Sequence, residues 1–457
     1  MANINQLQAE LVRQIGPDWI DLKGSSLIVQ PQTTEEVAAV LHAANRTKTP
    51  VRPKGGGTGW WSSTRPLEHG ILLQLTRMND ILKVDEDVMT VTMQAGITFS
   101  KLEEALGPKG YRVRIFPESG RVATVGGHIQ TWGTSPHTSS VFEDQATQIL
   151  GLKVVLPTGE IFPTGTNAVT TAAGQFHRRF FPADLSGLFI GSEGAFGVIT
   201  EATLKLYRQP EANLTRLVGF HEFGAVMSSL RQMQQAQRAG GLLTLIEQRL
   251  VSKRMLLTAV PRLQGIVPEE VKVLLVLRTE GDKTDAQSHL ARACDLSRSS
   301  GGRIIEDDVP EWWAGRYGAF SSAVLGKGPK VMIVAMVPFR LMLEAFSIAE
   351  KFGAKYGLNL EFRGYPFGGP VFLAHATIPW EATKPKSHDR ALAQGRDFME
   401  ALVRIGSVPH RVGTDFLPVL VGKLDPAYYE FVRRIKKMLD PNGIMNPGVI
   451  VGLRDED

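Results

Sequence analysis

From Ser26 onward, short apolar runs alternate with segments whose apolar residues recur every three to four positions, as strands interleaved with amphipathic helices would. "SLIVQP" (26–31) predicts a strand, and "TTEEVAAVLHAANRT" (33–47) a helix with an apolar stripe of Val37, Val40, Leu41 and Ala44 and a cap at Thr33 or Thr34. "TPVRP", "GILLQL" and "VMTVTMQAGI" predict further strands, and "TFSKLEEALGPKG" a helix ending at Gly107 and Gly110. A second block opens at 211, with "TRLVGFHEFGAVMSSLRQMQQAQRAGG" reading as strand then helix. The same order repeats in "VKVLLVLRTEG" and "KTDAQSHLARACDLSRSSGG", and again in "KVMIVAMVP" and "RLMLEAFSIAEKFGAKYG". Such repetition predicts an α+β layer with helices over one face of a sheet. The last helix, within "DPAYYEFVRRIKKMLDPNGIMNPGVI", stops at Asp-Pro-Asn-Gly.

A chain of 457 residues exceeds one ordinary core, so two or three domains are expected. The net charge of +5 is spread along the chain with Asp and Glu between the basic residues, a mild bias toward anionic ligands rather than a nucleic-acid tract. One cysteine, Cys294, excludes an internal disulfide framework and a Cys-ligated iron–sulfur cluster or zinc finger built by this chain alone. The opening "MANINQLQAELVRQIGPDW" has no apolar h-region, and no apolar run reaches the length of a membrane span, so the expected location is the cytoplasm.

"PVRPKGGGTGWWSS" (50–63) sets three consecutive glycines before two tryptophans. A phosphate loop of the Walker type would close on Gly-Lys-Ser/Thr, and a Rossmann turn would open a helix; here a loop and another strand follow. Taken alone, the segment also reads as a tight surface turn. Two more glycine-rich runs, "FPESGRVATVGGHIQTWGTSP" (116–136) and "DLSGLFIGSEGAFGVITEATLKL" (184–206), lie between apolar segments. Successive amides exposed by such loops form a concavity suited to phosphate oxygens.

The order of "PKGGGTG", "VTMQAG", "FPESG…ATVGGHI", "GLKVVLPTGEI", "DLSGLFIGSEGAFGVIT" and "LDPNGIMNPG" resembles the FAD-linked oxidases of the vanillyl-alcohol oxidase and D-lactate/glycolate dehydrogenase superfamily. The resemblance covers nearly all of 25–210 and the closing segment. It implies an α+β fold: a PCMH-type, two-subdomain FAD-binding domain (1–210), a cap with a mainly antiparallel sheet covered by helices (211–410), and a return segment (411–457). It further implies that Pro53, Gly55, Gly56, Gly57, Thr58 and Gly59 form the first phosphate loop. Pro117, Ser119, Gly120, Thr124, Gly126, Gly127 and Thr131 would line the pyrophosphate and flavin edge. Glu193, Gly194, Gly197, Val198 and Ile199 would enclose the adenosine part, with Asn446 contributed by the closing segment. Some members attach the flavin through a histidine where this loop has Thr58, so non-covalent FAD is implied.

Hydride transfer to a flavin needs a substrate C–H held over the ring and a base for the hydroxyl proton. Trp313 and Arg316 in "EWWAGRYGAF" resemble the W-x-x-R of the D-lactate and 2-hydroxyglutarate group, whose arginine holds the substrate carboxylate; an arginine on a solvated helix face is the plainer reading. In "GSVPHRVGTDF", His410 and Gly413 match a segment carrying that group's active-site histidine, which makes His410 the candidate base and Arg411 a candidate anion contact. A lone histidine is more often structural, and the same residues also resemble the vanillyl-alcohol and cresol oxidase branch. The metal-dependent hydroxyacid branch has a histidine-rich segment where this chain has "RGYPFGGPVFLAHAT", keeping only His375, and Pro409 replaces a glutamate, so no metal is expected. Trp132 stands where relatives carry a small or amide residue beside the flavin, which implies a reshaped substrate pocket. His128, Tyr207 and Tyr365 are further polar candidates with equally good structural readings, and "HRRFFP" (177–182), basic and aromatic, reads as an ordinary loop or a contact with the FAD phosphate. These features together predict FAD-dependent oxidation of a small, anionic 2-hydroxy acid of the glycolate or D-lactate type. The alternatives are oxidation of a phenolic or other alcohol, or a flavin subunit passing electrons to an iron–sulfur partner. A homodimer stays open.

Overall fold

In the computed structural model, which describes residues 4–59, 67–135, 145–180, 183–259, 261–305, 329–358, 360 and 362–449, two sheets organise the first part of the chain. β1 (Ile20–Lys23), β2 (Ser26–Val29), β3 (Val51–Lys54) and β4 (Ile71–Gln74) lie in the order β1-β2-β4-β3. The last three run parallel, because the Thr34–Thr47 helix supplies the crossover between β2 and β3. That helix starts where the Thr33 hydroxyl accepts the Glu36 N–H at 3.1 Å and ends at Lys48 in a left-handed turn with φ 52°. Its stripe of Val37, Val40 and Leu41 is fully buried with Leu27, Val29 and Ile71.

β5 (Ile81–Asp85), β6 (Thr90–Gln94), β8 (Ile149–Val155), β9 (Ile161–Pro163) and β10 (Val198–Lys205) form a second, antiparallel sheet in the order β5-β6-β10-β8-β9. Two short strands, β7 (Tyr111–Arg112) and β11 (Tyr207–Arg208), pair separately. The core of this sheet takes in Val91, Met93, Phe99, Leu102 and Ile199, and the helix Pro426–Leu439 packs on it through Val432, Ile435 and Leu439. The closing segment then joins the first sheet: Val51 N–H donates to the Ile444 carbonyl at 2.7 Å and Asn446 N–H to the Val51 carbonyl at 2.8 Å. Buried Lys436 pins this return, donating to the carbonyls of Ala195 and Met445 and to the Asp440 carboxylate.

The described residues divide into two compact units, one within Met1–Thr134, Gln145–Arg208 and Arg411–Asp457, the other made of Ser135 together with Gln209–His410. The second unit is built on one antiparallel sheet of eight strands: β12 (Ala212–Phe220), β13 (Leu245–Ser252), β14 (Val273–Gly281), β15 (Arg303–Ile305), β16 (Lys330–Pro338), β17 (Arg363–Phe367), β18 (Val371–Pro379) and β19 (Val408–Pro409). Their order is β15-β12-β14-β13-β17-β18-β16-β19. The helices Phe223–Arg238 and Lys283–Ser299 cover one face. Gln248 on β13 donates to Gln237 of the first helix, Thr279 on β14 donates to the Ala286 carbonyl of the second, and Ser229 and Ser297 bond between the two. Because successive strand residues point to opposite faces, Glu247 and Arg249 on β13 and Arg278 on β14 point away from these helices.

Candidate functional site

The three glycine-rich segments of the first unit meet. A Cβ on Gly56 would fall on the Val122 carbonyl oxygen, and one on Gly55 on the Thr124 hydroxyl, so the first loop closes against the second only without side chains. The second segment reaches the third through Gln130, whose carbonyl accepts from Glu193 N–H at 2.7 Å and whose amide donates to the Gly197 carbonyl at 2.7 Å. The third returns to the first at Gly194, with φ +77°, where a Cβ would come within 2.5 Å of Pro53. Asn446 ties the same place together: it accepts from the Arg52 guanidinium at 2.7 Å and donates to the Glu193 carbonyl at 2.5 Å.

Among the described residues, none accepts a hydrogen bond from the backbone N–H of Gly55, Gly56, Gly57, Thr58 or Gly59, and the loop is at least partly open to solvent. Five consecutive unspent amides at the end of β3 are the donor set a diphosphate requires. The second segment differs, because its amides are largely used within the protein. Gly120 N–H donates to Pro117, Gly126 N–H to Ala95 and Gly127 N–H to the Thr124 hydroxyl, while the Thr131 hydroxyl donates to Gly127. Ser119 takes part through its carbonyl, which accepts from Val122 and Ala123. Gly126 packs where a Cβ would meet Ala95 at 2.5 Å. Val198 and Ile199 are fully buried at the start of β10. The first loop thus offers donors, and the other two segments hold it in place.

Beside this cradle lies a polar cluster. Trp132 has φ 44°, and its carbonyl accepts from the Arg411 guanidinium at 3.4 Å. Glu193, also left-handed at φ 48°, accepts the Gly413 N–H at 3.3 Å; burial pushes its carboxyl above the usual range, opposed by that bond and by the Arg411 charge. Burial, helped by Arg411, drives the His128 pKa down to about 3 against a short bond to Gln145, so this imidazole is neutral.

In the second unit, the face opposite the helices carries buried charge. Arg363 on β17 stands directly opposite His375 on β18, which stands opposite Val334 on β16, and His410 N–H donates to the Val334 carbonyl at 2.9 Å. Tyr365 and, across β13, Arg249 occupy the same face, since Leu250 pairs with Gly364. Arg249, Arg363 and Tyr365 are each at most 2% exposed, His375 5% and His410 9%. The Phe367 ring meets the His410 ring edge-on at 5.5 Å, although two strands separate β17 from β19. In a flat sheet those strands would lie about 14 Å apart, so this face is concave. His410 and His375 thus share this buried face with two arginines absent from the sequence expectation. The missed signal was a charge at alternate positions of apolar runs, in "LIEQRLVS" and "FRGYPF". Trp313 and Arg316 lie outside the described residues. Among the described residues no three His, Cys, Asp or Glu side chains gather as metal ligands, and no helix is long and apolar enough to cross a membrane.

A cradle of bare amides in one two-sheet unit and, in the other unit, an antiparallel sheet with a charged face are the parts of a dinucleotide-binding oxidoreductase. The FAD binding domain model matches residues 25–165 and the model of the C-terminal domain of FAD linked oxidases matches 209–450, so the chain belongs to the FAD-linked oxidases and its cofactor is FAD. It is 25% identical to the glycolate oxidase subunit GlcD of Bacillus subtilis, over 92% of this chain and 88% of that one. It is also 25% identical to a D-lactate dehydrogenase of Anaerostipes hadrus, over 93% and 89%. Among solved structures, 4-ethylphenol oxidase from Gulosibacter chungangensis, in complex with isoeugenol, superposes with a TM-score of 0.84 at 17% identity, covering 99% of this chain and 98% of that one, a likeness of fold. The α+β, PCMH-type architecture expected from the motifs is the observed one, its cap sheet antiparallel in every pairing among the described strands.

Proposed function

We propose that the chain oxidises a small 2-hydroxy acid, of the glycolate or D-lactate type, at its C–OH group. FAD, when bound, supplies a two-electron acceptor for the substrate hydride at N5. His410 accepts the hydroxyl proton on an imidazole nitrogen, as a general base. Arg363, one strand from His375 in the same row, holds the substrate carboxylate through its planar fork, with Arg249 beside it. Arg316 and Trp313 are proposed as further substrate contacts, and Arg411, on the Trp132 carbonyl, as the cation at the flavin edge. The amides of 55–59 hold the diphosphate, and with Thr58 in the loop the flavin is held without a covalent bond. The observation that carries this reading is the row His410, His375, Arg363 on one curved, buried sheet face, which sets a candidate base and a candidate carboxylate-binding fork on the same side of the sheet.

Anaerobic titration of the purified yellow protein tests it. Glycolate, D-lactate or a close 2-hydroxy acid is expected to bleach the flavin band, and phenolic or simple neutral alcohols to leave it. Bleaching by a phenol and by no hydroxy acid would overturn the substrate assignment. Since the similar GlcD is by name a subunit and Cys294 is the sole cysteine of this chain, we further propose that electrons pass to a separate protein. Reoxidation of the bleached enzyme by air as fast as it is reduced would count against that step.

A further inference from the structure

The far end of the five-stranded sheet holds a cavity of about 600 Å³ whose lining includes none of the residues of the three glycine-rich segments. Its walls come from Leu150 at the start of β8, Lys205 at the end of β10 and the loop carrying Phe176, Arg178 and Arg179. The glycine segment 191–197 leads into the opposite end of β10, where Val198 pairs with Val155; at the cavity end Leu204 pairs with Ile149. Seven residues of strand separate Val198 from Lys205, about 23 Å at 3.3 Å per residue.

We propose that this cavity binds a small organic anion, a carboxylate or phosphate monoester carried on an apolar body. The charge is one-sided. Arg178 is held by both oxygens of Asp184 and by the Ala146 carbonyl, which leaves Asp184 little charge to give Arg179, 75% exposed and 3.4 Å away. The Lys205 ammonium has no partner among the described residues. Among the described residues Lys205 thus faces the space uncompensated and Arg179 shares a single carboxylate with Arg178, while Phe176 and Leu150 offer an apolar wall. The wall opposite the loop is fixed, because the Tyr207 hydroxyl donates to Gln148 at 2.9 Å and the Arg114 guanidinium lies 5.3 Å from the Tyr207 ring centre. A volume of this size has room for a small organic ligand.

Isothermal titration calorimetry on the FAD-loaded protein tests this with phenyl phosphate and hexanoate as anions and benzyl alcohol and hexan-1-ol as neutral counterparts. The anions are expected to bind at least tenfold more tightly than the alcohols, and comparing phosphate with carboxylate identifies the head group preferred. Lys205→Met and Arg179→Gln should each weaken the anions at least fivefold, and Lys205→Glu should abolish binding, with the flavin spectrum unchanged throughout. Equal binding of the alcohols, or anion binding indifferent to Lys205→Met and Arg179→Gln, would overturn the proposal. So would release of FAD by the anions, since the cavity would then belong to the flavin site. Should Lys205→Glu fail to fold, the two milder variants still decide, because both side chains reach solvent.

Discussion

In the function proposed above, the glycine cradle and the concave cap face recognise their ligands with different parts of the polypeptide. In the first unit the donors are backbone amides, and the side chains that matter are those that are missing: at Gly55 and Gly56 a second loop occupies the space where Cβ would be. In the second unit the backbone is consumed by an eight-stranded ladder, and recognition falls to long charged side chains on alternate residues, buried on the face away from the helices. A cradle of amides is rigid and nearly independent of neighbouring side chains, so it suits an invariant cofactor. A sheet face can exchange one arginine or histidine without disturbing its hydrogen bonds, so it suits a substrate that differs between relatives.

If that contrast is correct, substitutions in the two regions must fail in different ways. The largest effect is expected from Gly56→Val, whose side chain would collide with the Val122 carbonyl. The protein should purify colourless and take up no FAD on reconstitution, by absorbance at the flavin band. His410→Gln should keep full flavin and lose roughly a thousandfold in kcat, the scale of a general base; unchanged turnover would remove His410 from the chemistry. Arg363→Met should again keep the flavin and lower kcat/KM for the hydroxy acid by about 100-fold, the value of a bidentate charged pair. An equal loss for a neutral alcohol would mean that Arg363 supports the sheet rather than the carboxylate.

The smallest expected effect tests the polar cluster beside the cradle. His128 is neutral when folded, with its pKa held at about 3, whereas in the unfolded chain it protonates near 6.5. The unfolded state therefore binds the extra proton between these values. The stabilisation is fully present above pH 6.5 and is lost as the pH falls toward 3, at a limiting slope of about 1.4 kcal/mol per pH unit. His128→Gln should flatten the fall in urea midpoint between pH 6 and 4; an unaltered slope would mean that other groups set the acid sensitivity.

The same contrast explains what was legible in the sequence. Glycine runs in a fixed order report a backbone requirement directly, so the cradle segments and the cofactor could be read from "PKGGGTG" onward. Helices such as Thr34–Thr47 were legible because Thr33 caps them and their stripes follow the helical period. Arg249 and Arg363 were not, since a single arginine in an apolar strand says nothing of which face is covered until the pairing of Leu250 with Gly364 and of Arg363 with His375 is known. Asn446 was expected against the cofactor; its side chain is committed to Arg52 and Glu193, a task that depends on a partner 394 residues earlier and so leaves no local trace.

That long-range bond also bears on how the enzyme is made. Val51, four residues before the glycines begin, is flanked by hydrogen bonds to Ile444 and Asn446, so the strand feeding the cradle is completed by residues that follow the whole second unit in the chain. Contacts of such sequence separation form late and slowly. The nascent chain is therefore expected to have its whole second unit synthesised before the strand that feeds the cradle is complete, so that FAD loading follows rather than accompanies synthesis of that unit.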